Sequence, residues 1–459
     1  MKKLTNMQKE TIRVYIRLFE KLSVTVLGIL PFVWSWYNVF NPMLYPAFVN
    51  KGNIMIIGLY IGLMMTLIYT MGGYKIGVYR NKSVILSQSI GYAITNFFTW
   101  VVIVLMVGKV FYLSSITKAL LLITLAQIVG TALIVNIEER IFHKAFKPKA
   151  MVILYEEKLS RRFAKKMDTR EDKFNVVGVM KLEENWQDEL LKLEDYMAVL
   201  IYNVSSPLRN DVLKFCYQNG IRVYLVPKIA DILVRNARES AFFDTPLYMV
   251  SEVDITYGQV AVKRFCDIVL SLIAIILTSP IMLIAAIAIH KYDGGPVFFR
   301  QKRCTKNGRV FEILKFRSMI VDAEKDGKAR LATENDDRIT PVGHFIRKTR
   351  IDELPQFFNI LKGDMSFVGP RPERPEIVAE YEKEFPEFDL RMKVKAGLTG
   401  YAQVYGKYNT TAYDKLKLDL IYVQKYSLLM DLRLIFMTVK VIFMKESTEG
   451  LDDGERIAK

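Results

Sequence analysis

Residues 263–291 read KRFCDIVLSLIAIILTSPIMLIAAIAIHK, with an apolar run from Ile268 to Ile289. A helix of about 20 such residues spans the hydrocarbon core of a bilayer, so this run is long enough to cross. Its flanks argue otherwise. Lys263 and Arg264 precede it, and Lys291, Arg300, Lys302 and Arg303 follow, whereas a crossing helix concentrates Lys and Arg on its cytoplasmic side. Pro280 falls near the middle, where it removes a backbone hydrogen bond and kinks a helix, and Ser279 beside it can satisfy the freed groups. The expectation is a re-entrant helix that bends back at Ser279 and Pro280; a kinked crossing is the alternative.

Four further apolar runs lie upstream, at about 22–40, 54–71, 84–107 and 119–135, and read as transmembrane helices. Lys2, Lys3, Lys9, Arg13, Arg17 and Lys21 precede the first, which has no small-residue cleavage site, so an uncleaved anchor with its amino terminus inside is expected. Lys75, Arg80 and Lys82 mark the second loop as cytoplasmic, and Arg140, Lys144, Lys147 and Lys149 mark the last exit likewise. From Ala150 the texture changes to short apolar runs, AMVILY, FNVVGVM, YMAVLIY and IRVYLV, separated by charged helical stretches. That is the pattern of an α/β unit with a parallel sheet. Its first strand runs into YEEKLSRR without a GxGxxG turn, so a structural or regulatory module is favoured over a nucleotide-binding one. The chain therefore divides into membrane helices over 1–145, a Rossmann-like α/β domain over 146–250, the re-entrant helix over 262–292 and a mainly helical soluble part over 293–459. Near its end, MDLRLIFMTVKVIFMKE carries Asp431, Arg433 and Lys440, which fits a helix lying on the membrane surface or on its own domain rather than a crossing.

In a chain of 459 residues, 51% hydrophobic content together with a net charge of +16 suits a membrane protein with basic soluble parts. Such a surface suits anionic lipids and phosphorylated substrates. Nucleic acid is not expected, because Lys and Arg flank apolar spans and neither zinc-finger spacing nor an aromatic RNA-binding signature is present. Cys216, Cys266 and Cys304 are scattered, as are His143, His290 and His344, which speaks against a disulfide framework, a zinc site and a Ser/His/Asp triad.

Reactive residue types are densest in RKTRIDELPQFFNILKGDMSFVGPRPE, Arg347 to Glu373. Asp352 and Glu353 come just before Pro355, a residue tolerated in the first turn of a helix, so both carboxylates are expected at a helix start. The bland reading is that Asp352 is an N-cap. Around them stand Lys315, Arg317, Arg347, Lys348, Arg350 and Arg371, the last in a GPRP loop that Gly369, Pro370 and Pro372 would fix. Arginine offers planar paired donors to phosphate oxygens, so a polyphosphate site is favoured. No GxxxxGK[ST] loop accompanies it.

KRFCDIVLS, the internal SP, GPVFFRQKR, FEILKFRSM, RIDELPQ, GDMSFVGPRPE, GLTGYAQV and LDLIYVQKYSLLMDL occur in one order. Together they resemble the bacterial sugar transferase family, the polyprenyl-phosphate glycosyl-1-phosphate transferases, over about Lys263 to Lys445. Four spans and an α/β insert resemble its longer members, which begin capsule, exopolysaccharide or O-antigen synthesis. Thr305, where many members have Gly, and Ile351, where Leu is frequent, depart from the pattern without removing a reacting group. The resemblance implies transfer of a hexose 1-phosphate from a UDP-sugar to polyprenyl phosphate, such as undecaprenyl phosphate, at the cytoplasmic face of a bacterial inner membrane. It implies Asp352 as covalent nucleophile, Glu353 as a ligand of Mg²⁺, and Lys315, Arg347, Arg350 and Arg371 as charge neutralisers, and it leaves a homodimer open. Two rival readings are a membrane-bound nucleotide-sugar dehydratase, for which Tyr413 and Lys417 give a YxxxK spacing without the glycine turn, and a non-catalytic membrane scaffold.

Overall fold

The computed structural model describes residues 6–146, 148–160, 163–164, 167, 173–192, 196, 198–242, 244–250, 256–321, 336–407 and 410–442. They form two compact units, Met1–Pro227 and Lys228–Lys459.

In the first unit the apolar runs become long helices. Asn6–Ser35 continues through a π-helical turn, Trp36–Phe40, and is followed by Lys51–Thr70, Asn81–Val107 and Leu113–Ala145. Among the described residues, four helical stretches are long and apolar enough to cross a membrane: Lys51–Thr70, Asn81–Val107, Val110–Ala145 and, in the second unit, Tyr257–Asp293. The chain is a membrane protein. The first expected span, 22–40, falls on Asn6–Ser35 and its π turn, outside these four. Polar groups inside the bundle satisfy one another, as they must where water is excluded. Tyr60 donates to Asn96 Oδ1 at 3.0 Å, Asn96 Nδ2 to Gln127 Oε1 at 2.8 Å, and Gln127 Nε2 to the Gly28 carbonyl at 2.6 Å. Phe32 stacks on Tyr60 with ring centroids 3.7 Å apart.

The same unit holds a four-stranded parallel sheet of β1 (Lys149–Tyr155), β2 (Phe174–Lys181), β3 (Ala198–Tyr202) and β4 (Arg222–Leu225), in the order β2-β1-β3-β4. Strands β1 and β3 are buried on both faces, as their unbroken apolar runs require. In doubly wound sheets a ligand crevice opens beyond the strands' carboxyl ends where the order reverses, here between β1 and β3. In this sheet Glu156, just after β1, accepts both the amide and the hydroxyl of Ser205, the N-cap of helix Ser206–Gln218. The amide that a phosphate would need is already held by the chain's own carboxylate.

The second unit is organised on the helix Tyr257–Asp293. Thr256 and Gln259 form a reciprocal capping box at its start, and Gly294, at φ +69°, closes it in the left-handed conformation that glycine takes readily. Pro280 lies inside it, and the hydroxyls of Thr278 and Ser279 donate to the carbonyls of Ala274 and Ile276. Near its start Lys263 pairs with Asp431 at 2.6 Å, Arg264 donates to the Ile360 and Leu361 carbonyls at 2.7 Å, and Asp267 accepts from Ser366 Oγ at 3.0 Å. At its far end Arg317 grips Asp293 through both oxygens, one at 2.6 Å. Met282, Ala285 and Ile289 pack with Phe316 and Ile346. Ile276, Leu277, Leu283 and Ile284, on either side of Pro280, remain exposed. Ile229 and Ile232, inside the stretch expected for the α/β domain, pack in this unit against Leu416 and Leu420. Helix Leu428–Ile442 buries Leu434 and Met437, so this close of the fold lies on its own domain, while residues 443–446 of that expected helix lie outside the described residues.

Candidate active site

Helix Pro341–Lys348 leads into the site. Thr340 caps it by accepting from Gly343 N at 2.9 Å, and Gly343 is required because a Cβ there would stand 1.9 Å from the Ser318 carbonyl oxygen. Thr349 follows, and then Arg350 turns the chain at φ +59°, a left-handed conformation that costs a non-glycine residue about 1 kcal/mol. The next residues form a 3₁₀ turn, Ile351–Glu353. Ile351 and Leu354 both sink into the cluster built on the long helix, which leaves Asp352 and Glu353 on the turn's polar side.

The N-cap reading of Asp352 fails on this geometry. The following helix starts at Gln356, its N-cap position is Pro355, and no side chain caps it or the 3₁₀ turn. Leu354 and Pro355 separate the carboxylates from Gln356, so they stand ahead of the helix rather than in its first turn.

The two carboxylates have different partners. Glu353 Oε1 accepts from Lys315 Nζ at 3.1 Å and from Arg371 Nη2 at 3.2 Å, and its side chain is only 14% exposed. Among the described residues, no hydrogen bond or ion pair holds Asp352. Burial and the Glu353 charge push the Asp352 carboxyl up, against the pull of Lys315, Arg347 and Arg350. For Glu353 burial also pushes up, but Lys315, Arg371 and Arg350 together hold its carboxyl well below the usual carboxylate range. An ionised anchor thus stands beside a less stabilised, more basic carboxylate, the form of acid better suited to attack.

Of the residues expected here, Lys315, Arg347, Arg350 and Arg371 converge electrostatically on the pair. Lys348 is exposed. Arg317 differs from the expectation: it is buried, chelates Asp293 and donates to the Pro296 carbonyl at 2.7 Å, so it fastens the end of the long helix instead of facing a substrate. Gly369 is a close-approach residue, since a Cβ on it would lie 2.2 Å from the Lys395 carbonyl oxygen. Pro370 is buried behind it, and the Arg371 side chain is 44% exposed. Thr305 turns its departure from glycine to use, donating to the Asp364 carbonyl at 3.0 Å and accepting from Ala396 N at 3.1 Å. Tyr413 and Lys417 form a cation–π pair at 4.3 Å on one helix, a structural contact.

The sequence reading did not single out Arg303, Glu373, Arg391 and Asp419, which gather behind the GPRP loop. Arg303 and Glu373 stand in quoted motifs, but the link to Arg391 and Asp419 spans too much chain for any spacing rule.

Among the described residues, no group of three or more His, Cys, Asp or Glu side chains comes together as a metal cage. Two adjacent carboxylates still fit Mg²⁺, which is bound through one or two carboxylates and takes its remaining ligands from substrate phosphates and water.

Residues 258–445 match the family model described as bacterial sugar transferase. The chain is 39% identical over 264 residues to the UDP-N-acetylgalactosamine-undecaprenyl-phosphate N-acetylgalactosaminephosphotransferase of Aeromonas hydrophila, covering 55% of this chain and 62% of that one. It is 38% identical over 254 residues to the UDP-glucose:undecaprenyl-phosphate glucose-1-phosphate transferase of Klebsiella pneumoniae, with 54% and 53% covered. It is 40% identical over 200 residues to the undecaprenyl-phosphate galactose phosphotransferase of Salmonella typhimurium, with 40% and 41% covered. The chain thus spans between 41% and 62% of these relatives' lengths. Residues 258–445, the part of the chain that is similar to the bacterial sugar transferase family, carry the carboxylate pair and its cations.

Proposed function

We propose that this protein transfers a sugar 1-phosphate from a UDP-sugar to a polyprenyl phosphate such as undecaprenyl phosphate. The observation that carries this reading is the unequal pair: Glu353 clamped by Lys315 and Arg371, and Asp352 beside it with no hydrogen bond or ion pair among the described residues. A carboxylate oxygen of Asp352 attacks the β-phosphorus of the donor, and the bond from that phosphorus to the bridging oxygen breaks, releasing UMP with the electron pair. An oxygen of the lipid phosphate then attacks the aspartyl phosphosugar, the Asp352–phosphorus bond breaks, and the carboxylate returns. One phosphoanhydride replaces another, so no ATP is consumed and no oxidant takes part. Lys315, Arg347, Arg350 and Arg371 neutralise the equatorial oxygens as charge develops on them. Mg²⁺, held by Glu353 and the donor's diphosphate, would supply further neutralisation there.

The membrane arrangement follows from which groups hold the long helix. Its start is fastened through Lys263, Arg264 and Asp267 and its end through Asp293, all to one soluble unit. A straight crossing of a core about 30 Å thick would separate those ends. Their common anchorage supports re-entry near Ser279 and Pro280, with the exposed apolar middle in lipid and the basic catalytic part on the cytoplasmic face of a bacterial inner membrane, where nucleotide sugars are made. The carboxylate pair then meets a lipid phosphate at headgroup depth. The dehydratase reading finds no support, because Tyr413 and Lys417 are engaged with each other.

The test is a panel of UDP-glucose, UDP-galactose and UDP-N-acetylgalactosamine, each incubated with purified full-length protein and polyprenyl phosphate. Release of UMP with a lipid diphosphate sugar is expected. A keto sugar, or no turnover with any donor, would overturn the reading.

A further inference from the structure

We propose that Arg391, Arg303 and Asp419 are positioning residues that set the place of Arg371 from behind its loop; this rests on the phosphosugar-transfer reading above. The sequence of the loop creates the need. Pro370 and Pro372 have no amide hydrogen, so the stretch cannot knit itself into a turn through those residues. Its carbonyls are held from outside instead. The Pro370 oxygen accepts from Gly397 N at 2.9 Å, the Arg371 oxygen from Arg391 Nη2 at 3.0 Å, the Pro372 oxygen from Arg303 Nη1 at 3.1 Å, and the Glu373 oxygen from Cys304 N at 2.9 Å. Four consecutive carbonyls are fixed, two of them by guanidinium groups.

The Arg391 guanidinium that holds the Arg371 carbonyl is itself anchored one step further back. Arg391 lies in the 3₁₀ stretch Pro386–Lys393, and its Nη2 stands 2.6 Å from Asp419 Oδ2 on helix Ala412–Gln424. The two side chains are 7% and 1% exposed. Glu373 lies at 3.8 Å from Arg303 and 3.9 Å from Arg391, too far for hydrogen bonds, so it balances charge without fixing either arginine. A buried ion pair is often no more stabilising than a well-packed apolar pair in its place. What an apolar pair cannot do here is donate to the Arg371 carbonyl. The chain of contacts from Asp419 through Arg391 to the Arg371 backbone therefore ends at Glu353, to which the Arg371 side chain donates at 3.2 Å. Small misplacements of a group that acts on a transition state cost rate steeply, about 10²-fold for roughly 1 Å.

The experiment uses full-length protein, UDP-sugar and polyprenyl phosphate, with UMP release and thermal melting followed together. In the paired variant Arg391→Met with Asp419→Leu, both charges leave and the fold should melt with the wild type, yet kcat should fall about tenfold while KM for the UDP-sugar moves less than about threefold. Arg391→Lys, which keeps the charge but not the fork, should behave alike and serves if the apolar pair does not fold. In an Arg371→Lys background Arg391→Lys should cost less than about twofold more, because it acts through Arg371. Turnover that recovers whenever melting recovers, or a full tenfold loss on top of Arg371→Lys, would overturn the proposal. Absence of UMP release by the wild type itself would remove the transfer reading and the proposal with it, which distinguishes the two failures.

Discussion

Two regions of this molecule are shaped to receive an anion, and they treat the opportunity in opposite ways. At the reversal point of the parallel sheet, the Ser205 amide and hydroxyl are taken by Glu156 from the neighbouring strand end. Before the helix Gln356–Lys362, four cations face two carboxylates, and among the described residues only Glu353 of the two is paired. The first arrangement is complete in itself, with its charge need met inside the chain. The second keeps a surplus of positive charge and an unbonded Asp352, an arrangement that a polyphosphate would complete. A fold of the kind that binds nucleotides elsewhere is therefore no guide to where an anion would sit in this chain.

Substitutions can break that contrast. The largest effect is expected at Asp352: Asp352→Asn should lower UMP release by about 10³-fold or more, since an amide cannot replace the attacking carboxylate. Stability should hardly change, because Asp352 caps neither element and holds no hydrogen bond among the described residues; near-normal turnover would reduce Asp352 to a bystander. Glu353→Gln should follow, with turnover down about 10- to 100-fold and a higher Mg²⁺ requirement, as it removes the carboxylate charge that Lys315 and Arg371 share. Measuring rate against Mg²⁺ concentration checks both parts.

A smaller loss, about tenfold, is expected for Arg350→Gly, equivalent to roughly 1.4 kcal/mol of transition-state stabilisation. Its melting temperature should stay near that of the wild type, because glycine relieves the left-handed strain at φ +59° by about as much as it adds to unfolded-chain entropy. Unchanged kinetics would contradict a role for the Arg350 charge at the carboxylate pair. The smallest effect on rate belongs to the sheet: Glu156→Gln should leave turnover within about twofold and cost about 2 kcal/mol of stability, since Gln keeps one acceptor oxygen for Ser205 and loses the other charge-assisted bond. A large kinetic change there would mean that the α/β domain's crevice is not the closed arrangement described.

The candidate site stands out in the sequence because its residues cluster: Asp352 and Glu353 are neighbours, and Arg347, Arg350 and Arg371 lie within one quoted stretch. The division of labour between the carboxylates was not legible. It depends on contacts from Lys315 and Arg371, at separations of 38 and 18 residues, which no local pattern encodes. The N-cap alternative stayed open for a related reason. The left-handed turn at Arg350 and the helix start at Gln356 place Asp352 in a separate 3₁₀ turn, and an arginine in that conformation carries no signature. Arg317 misled because a basic residue two positions after Lys315 reads as part of the same cation set, whereas the strand ends at Phe316 and Arg317 turns to Asp293. The long apolar helices after the first and the parallel sheet were legible from the lengths of their apolar runs, about 20 residues or more for a helix and about four to eight for a buried strand.

The central claim is a covalent phosphosugar on Asp352, and intact-mass spectrometry tests it most directly. Full-length protein is mixed with the UDP-sugar that supports turnover, with the lipid acceptor left out, and the protein is weighed and then digested. The account predicts a gain of one sugar phosphate on the peptide carrying Asp352, one UMP released per adduct, disappearance of the adduct when polyprenyl phosphate is added, and no gain in Asp352→Asn. UMP formed by the wild type without any adduct, or an adduct that persists in Asp352→Asn, would contradict it.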